Sequence, residues 1–418
     1  MTNVQKISYP KSSIKYYSLF VIFIFIIYPF AALPLIIYEI YKGKRYAFSL
    51  LAIYIGYFAL LYPPAGDLYR YRNDYYEYKD ISFEYFKSLL IFNLDYCLSF
   101  LLFLLGKLNI PSDFSRFIYA WIGSELLFDI FYDITHNFRQ KKPNKTFILF
   151  IIYWLYASFT ALMYRHGFSS ALFSYGFYSM YYKHQKIQSY LLLVLAALNH
   201  FSYIVFILAI IAQKCLSFKG NRILSIICVI CMFSLSADFL SSFISSLPLP
   251  EFATQRLLAY TEGYWAQEFV EDLSFKGNIL RLFNKMRILS LIAIYICCFT
   301  QDSQSGFLSI GLCICALFSM SNTILSRFEV ALLVPFMINF LNLAISDRLT
   351  NYKKTTKLFL LIGLFSAFTS FWSHRREYSI SYEYKLFLPT SINIISTHYS
   401  QNWVNDHIYD NGEPIGLY

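Results

Sequence analysis

The stretch YSLFVIFIFIIYPFAALPLIIYEI, residues 17–40, carries a single charge, Glu39, and follows lysines at positions 6, 11 and 15. A helix needs about 20 consecutive apolar residues to cross a bilayer, so this run predicts a membrane span. It is too long for a cleaved signal and has no small-residue cleavage site, so it is expected to remain as the first span.

Working outward, the pattern recurs at 46–62, 89–105, 117–134, 147–164, 168–182, 190–212, 223–244, 288–300, 307–325, 328–345 and 358–372. The 418 residues are 57% hydrophobic and 14% charged, with a mean hydropathy of +0.46, enough apolar chain for about a dozen spans. The expected fold is therefore all-α: a polytopic integral membrane helical bundle of about ten to thirteen spans. No internal repeat or low-complexity linker divides it, so residues 1–418 are read as one membrane domain. Polar stretches at about 63–88 and 246–287 interrupt the runs, and a polar tail covers 373–418.

The net charge of +10 comes from 35 Lys and Arg that sit in short clusters between apolar runs. With no continuous basic face, nucleic acid is excluded as a partner. The clusters Lys42/Lys44/Arg45, Arg139/Lys141/Lys142/Lys145, Lys183/Lys186, Lys214/Lys219/Arg222 and Arg348/Lys353/Lys354/Lys357 read as cytoplasmic anchors. Both polar stretches, the tail, Arg165 and Arg327 then face outward. Simple alternation fails twice. Either 89–105, with Asn93 and Asp95, or its neighbour does not cross fully, and 190–212, with Asn199-His200 at its centre, is broken or re-entrant. The three N-terminal lysines fall on the wrong side in this arrangement.

The eight cysteines lie in or at the edge of apolar runs, and Cys228 and Cys231 lack a second pair at zinc spacing, so neither a disulfide framework nor a metal site is expected. Interfacial belts explain part of the 21% aromatic content, and packing or codon bias explains the many phenylalanines within the runs.

The densest polar motif is Gly66-Asp67-Leu68-Tyr69-Arg70-Tyr71-Arg72-Asn73-Asp74-Tyr75-Tyr76-Glu77-Tyr78, directly after Pro63-Pro64. In a helix, Asp67, Arg70 and Asp74 share one face. A carboxylate beside cationic phosphate ligands is one reading, with Tyr69, Tyr71 and Tyr75 as platforms for sugar rings. A juxtamembrane amphipathic helix with mutually paired charges is the other. Arg165 stands almost alone between two apolar runs, where a guanidinium needs a cavity or a partner. His200 is a candidate base toward a hydroxyl, or a helix-bridging residue. Arg327 has Glu329 close by, and Arg256 lies in the second polar stretch. There is no Walker loop, G-x-G-x-x-G after a strand, H-E-x-x-H or G-x-S-x-G.

The order of these features resembles the Wzy-type polymerases of bacterial O-antigen and exopolysaccharide, especially the EpsG-like branch. Gly66-Asp67-Leu68-Tyr69-Arg70-Tyr71 is similar to that branch's Gly-x-Asp-Tyr-x-x-Tyr motif, with Leu68 departing from it. Arg165-His166-Gly167-Phe168-Ser169-Ser170-Ala171 is similar to an Arg-x-Gly-x-Ala pattern, Asn199-His200-Phe201-Ser202 to a Phe-His-x-Ser pattern, and Arg327 to an Arg after the tenth run.

The resemblance implies a GT-C-like bundle in the bacterial inner membrane with its active site facing the periplasm. It implies transfer of a glycan chain from an undecaprenyl-diphosphate-linked oligosaccharide to a hydroxyl of the next lipid-linked repeat, without a cofactor. A chain-length regulator protein is an implied partner beside membrane lipid. Arg70, Arg165, Arg256 and Arg327 would hold the diphosphate, and Asp67 or His200 would be the base. Within the same chemistry an O-antigen ligase is the alternative. A flippase or transporter of the lipid-linked oligosaccharide is a rival from another class, and a membrane acyltransferase using His200 is a third.

Overall fold

The computed structural model describes residues 16–415 except 91–94, 142, 163, 234–236, 247, 249–250, 259–285, 287–288, 319–321, 347, 349–351 and 374–398. Helices dominate the described residues, and one buried apolar cluster runs through them from Val21 to Ile362.

The run 17–40 does not form one helix. It divides into α1 (Tyr16–Ile27) and α2 (Pro29–Tyr41). Pro29 has no N–H to donate and its ring disfavours helical geometry in the residue before it, so Tyr28 is extended at φ −150° and ψ 96°. The halves then fold back on each other. Ser18 Oγ lies 3.5 Å from Glu39 Oε2, and the rings of Tyr17 and Tyr38 are 6.1 Å apart. At about 1.5 Å per residue each arm is roughly 18–20 Å long, short of a hydrocarbon core of about 30 Å. The expectation of a single first span is thus corrected to a helical hairpin.

Helix α3 (Arg45–Leu61) lies antiparallel to α7 (Asp113–Lys141). At one end Arg45 pairs with Glu125 and Asp129; at the other Arg116 donates to the carbonyl of Tyr62 and pairs with Asp113. Between them come α4 (Asp67–Asp80), α5 (Phe83–Leu90) and α6 (Tyr96–Lys107). This segment leaves from Tyr62 and returns to it, so it is an excursion at one end of the bundle, and of the two alternatives left open it is 89–105 that lies in the excursion. Lys107 Nζ donates to the Lys79 carbonyl at 2.8 Å and Phe86 stacks on Phe103 at 4.3 Å, tying α4 and α5 to α6.

Helices α8 (Pro143–Leu162) and α9 (Tyr164–Tyr181) run up and down with almost no loop between them. Next, α10 (Lys186–Asn199) and α11 (Tyr203–Cys215) form a second hairpin. Gly176 lets α10 approach α9 closely: a Cβ there would stand 3.1 Å from Leu193. At the tip Asn199 bonds to Arg165, while at the base Tyr181 donates to Gln213 at 2.9 Å. The expected break in 190–212 is therefore observed, at His200, which is extended at φ −150° and ψ 110°.

The chain continues through α12 (Arg222–Phe233), α13 (Ala237–Ser246), α14 (Glu251–Leu258), α15 (Ser303–Leu317), α16 (Asn322–Ile345) and α17 (Tyr352–Ser373). Among the described residues, segment Arg327–Ile345 of α16 is long and apolar enough to cross a membrane, and seven other apolar helices have 10–17 residues. A last helix, α18 (Gln401–His407), sits on the start of α4. Tyr399 donates to the Leu61 carbonyl at 2.8 Å, and Gly66 N donates to the Gly412 carbonyl at 2.7 Å. Most of the second polar stretch, 246–287, lies outside the described residues.

In a cysteine-free background, cysteines at positions 16 and 42 are expected to label with an impermeant thiol reagent from one side of the membrane, and those at 67 and 401 from the other. Labelling of 16 and 42 from opposite sides would restore a single span through 17–40.

Candidate functional site

Six of the residues singled out from sequence, Asp67, Arg70, Tyr71, Arg165, His200 and Arg327, lie around Arg165 and its neighbours. Because α8 ends at Leu162 and α9 begins at Tyr164, the turn has no loop, and Tyr164 takes a left-handed conformation at φ 43°. That geometry is costly for a residue with a large side chain. Packing holds it in place: Tyr164 donates to Ser115 Oγ, and its ring packs 5.2 Å from Tyr119 and 5.8 Å from Tyr71.

The turn puts Arg165 in the first turn of α9, where it pairs with Asp95, the residue preceding α6; both side chains are nearly buried. The Arg165 guanidinium lies 5.3 Å from the centre of the Tyr71 ring, and the Arg70 guanidinium lies 5.2 Å from the same centre. Tyr71 is thus a shared plate between two cations. Arg70 also bonds to the Tyr71 hydroxyl at 3.3 Å and to Asp67 at 3.3 Å. Asp74 faces Arg70, and burial pushes its carboxyl above the usual range.

Behind Arg165 stands a web of buried hydrogen bonds. Asn199 Nδ2 donates to the Arg165 carbonyl at 2.8 Å and to Ser169 Oγ at 2.7 Å, and Asn199 Oδ1 accepts from Tyr119 at 2.6 Å. His166 Nε2 lies 2.9 Å from the Arg327 carbonyl. The His166 ring is 5.1 Å from that of His200 and 5.3 Å from that of Tyr203. Arg327 itself is partly buried.

Four helices begin here, α4 at Asp67, α6 after Asp95, α9 at Tyr164 and α11 at Tyr203. Each N-terminus presents the positive end of a helix dipole, so their convergence with two arginines makes a site suited to an anion. Arginine adds a planar fork that binds phosphate oxygens in pairs.

Residues 45–387 match the EpsG family. The chain belongs to the EpsG family. Membership makes it a membrane protein of polysaccharide biosynthesis with a polymerase-like function. No curated protein and no solved structure matches it.

Of the residues named from sequence, the EpsG-family chain gathers Asp67, Arg70, Tyr71, Arg165, His200 and Arg327 at this site. Arg256 lies in α14, and its side chain is outside the described residues. Tyr71 and Tyr75 are buried at 7% and 5% exposure, Tyr69 packs against the cluster of Ala65, Tyr399, Val404 and Ile408, and Tyr76 is the exposed ring of that helix. Asp95 was visible in the sequence only as a polar residue in an apolar run, and His166 and Ser169 only as members of the small-residue stretch after Arg165. Tyr119 gave no signal. Among the described residues no group of His, Cys, Asp or Glu is placed to hold a metal.

Removing one partner of a buried ion pair leaves an uncompensated charge and costs about 3–5 kcal/mol, while an exposed pair contributes about 0–1 kcal/mol. Asp95→Ala is therefore expected to lower the thermal unfolding midpoint in detergent by several degrees, and Asp67→Ala hardly at all. Equal effects would show that Arg165 is not desolvated as described.

Proposed function

We propose that this protein is a surface-polysaccharide polymerase. It transfers a glycan chain from a polyprenyl diphosphate to a hydroxyl of the next lipid-linked repeat, on the outer side of the bacterial inner membrane. The observation that carries this reading is Arg165, held with Arg70 against Tyr71 where four helix N-termini meet. A glycosyl diphosphate already has a good leaving group, so the protein need only bind anionic oxygens and remove one proton. Arg165 and Arg70 perform the first task, with Arg327 beside them and Arg256 as a further candidate. Asp67 or His200 performs the second.

The bundle is read as polytopic, residues 1–418 forming one membrane unit, with the site end outside. The clusters at Lys42–Arg45, Lys183–Lys186 and Lys214–Lys219 lie at the opposite end, as does the end of α16 that leads to Arg348, consistent with cytoplasmic anchoring. Arg45 and Lys183 are also ion-paired there, with Asp129 and Asp133 of α7. In this arrangement α18 and its flanking segment cover the outer start of α4, within reach of a growing chain and of a chain-length regulator.

The full-length protein, reconstituted with a purified undecaprenyl-diphosphate-linked repeat, is expected to produce a ladder of chain lengths. Arg165→Ala should abolish it at normal protein level, a loss of at least 10²-fold, the scale on which lost stabilisation of developing charge reduces turnover. A full ladder from Arg165→Ala would overturn the diphosphate assignment. Transfer of a finished chain to a lipid A core, without chain growth, would make the protein a ligase instead.

A further inference from the structure

Helix α4 turns opposite faces to two neighbours. Asp67, Arg70, Tyr71 and Asp74 stand on the side toward Arg165, whereas Tyr69, Arg72 and Tyr76, spaced i, i+3 and i+7, lie on the other. This second face meets the C-terminal segment: Tyr69 packs against Ala65, Tyr399, Val404 and Ile408, and Arg72 donates to Gln401 Oε1 of α18 at 3.4 Å. Backbone ties hold the segment in place. Besides the bond from Gly66 to Gly412, Tyr409 N donates to the Glu413 carbonyl at 2.8 Å and Ile415 N to the His407 carbonyl at 2.7 Å. Gly412 sits at φ +87°, and a Cβ there would stand 3.0 Å from the Gly66 carbonyl oxygen, so only glycine suits that approach.

Arg72 sets the hydrogen-bond directions on this surface. A guanidinium only donates, so Tyr76 Oη, at 3.2 Å, and Gln401 Oε1 both accept from it. The nitrogen end of the Gln401 amide is then left for Asn405, and Gln401 Nε2 donates to Asn405 Oδ1 at 3.0 Å. What remains is a row of donors: the Tyr76 hydroxyl hydrogen, one Gln401 N–H and both Asn405 N–H bonds. Among the described residues these hydrogens have no partner. Arg72 is 5% exposed, its Nε has no hydrogen-bond partner, and among the described residues no carboxylate pairs with it. Its charge polarises the groups bonded to it and strengthens them as donors.

The ring of Tyr76 is 45% exposed, and Gln401 and Asn405 are exposed as well. A flat ring beside planar amides with free donors matches the chemistry of a sugar, whose C–H face stacks on an aromatic ring while its hydroxyl oxygens accept hydrogen bonds. A wholly apolar partner would leave the amides unpaired. A highly charged anion would meet Glu77 and Asp406, the exposed chain neighbours of Tyr76 and Asn405.

We propose that this face is a subsite for the glycan of the lipid-linked substrate, touched by Tyr76, Gln401 and Asn405, with Arg72 as the positioning residue behind them. The proposal rests on the polymerase reading and locates the part of the substrate beyond the diphosphate. A chain joined through its anomeric carbon to a diphosphate at Arg165 and Arg70 reaches the subsite by crossing α4, about 10 Å thick with its side chains. Tyr71 and Tyr75 turn inward, and Tyr76 supplies the sugar platform in their place.

The test titrates full-length protein in nanodiscs with the free oligosaccharide released by mild acid from the purified lipid-linked repeat, followed by ligand-observed NMR. Tyr76→Ala and Asn405→Ala change exposed side chains, so folding should tolerate both. Each is expected to weaken binding about fivefold or more, the scale of one lost aromatic contact. Arg72→Met should weaken it as much, and Arg72→Lys less, because an ammonium can still donate to both oxygens. In the polymerisation assay Tyr76→Ala should raise KM for the lipid-linked repeat and shorten the ladder with kcat little changed. Wild-type affinity in both Tyr76→Ala and Asn405→Ala would overturn the subsite, as would a wild-type protein that does not bind the oligosaccharide. Chain lengths altered only when a chain-length regulator is added would overturn it in favour of a protein-docking surface. A wild-type protein that binds the oligosaccharide but forms no ladder ends the polymerase reading, and loss of that binding in the variants still establishes the subsite.

Discussion

The nearly desolvated charge of Arg165 is the constraint on which the surrounding structure depends. A guanidinium taken out of water is tolerated only with an opposite charge and satisfied hydrogen bonds. Asp95 supplies the charge, and so draws the start of α6 to the start of α9. Tyr71 supplies an aromatic face, and so draws in α4. Asn199 bonds to the Arg165 carbonyl, and so fixes the tip of the α10–α11 hairpin. Each partner comes from a different helix, and each of those helices begins or turns at this point.

The broken helices follow from the same constraint. Continuous helices have few exposed backbone groups to offer a ligand, while irregular backbone inside a membrane survives where protein or a cavity covers it. His200 is such a residue, extended between two half-length helices and buried against α9. Tyr164, left-handed and enclosed by Tyr71 and Tyr119, is another. The α1–α2 hairpin has a different origin, the proline at its turn, and no residue of it joins the site. At the far end of the bundle, acids on α7 meet Arg45 and Lys183. Basic residues at those helix ends therefore fasten them to α7.

Much of this was legible in the sequence because its signals are local. Apolar runs predicted the helices, Pro63-Pro64 the end of α3, and Asn199-His200 the break in 190–212. Isolation in apolar text singled out Arg165, and charge density singled out the motif at Asp67. The run at 17–40 misled, because hydropathy counts apolar residues without registering that Pro29 ends a helical hydrogen-bond ladder and turns the chain back.

Taken alone, the sequence determined that the chain is helical, that its rare polar residues matter, and that it has the features of its family. Those properties depend on residues close together in the chain. Only the tertiary structure decided that Asp95 is the partner of Arg165, that Tyr119 reaches Asn199, that His166 faces His200, and that Tyr71 and Tyr75 turn inward. Asp95 and Arg165 are 70 positions apart, and Tyr119 and Asn199 are 80 apart. Pairings at that separation depend on which helix ends meet, and the free energy of burying a charge selects among those meetings only once the bundle is assembled.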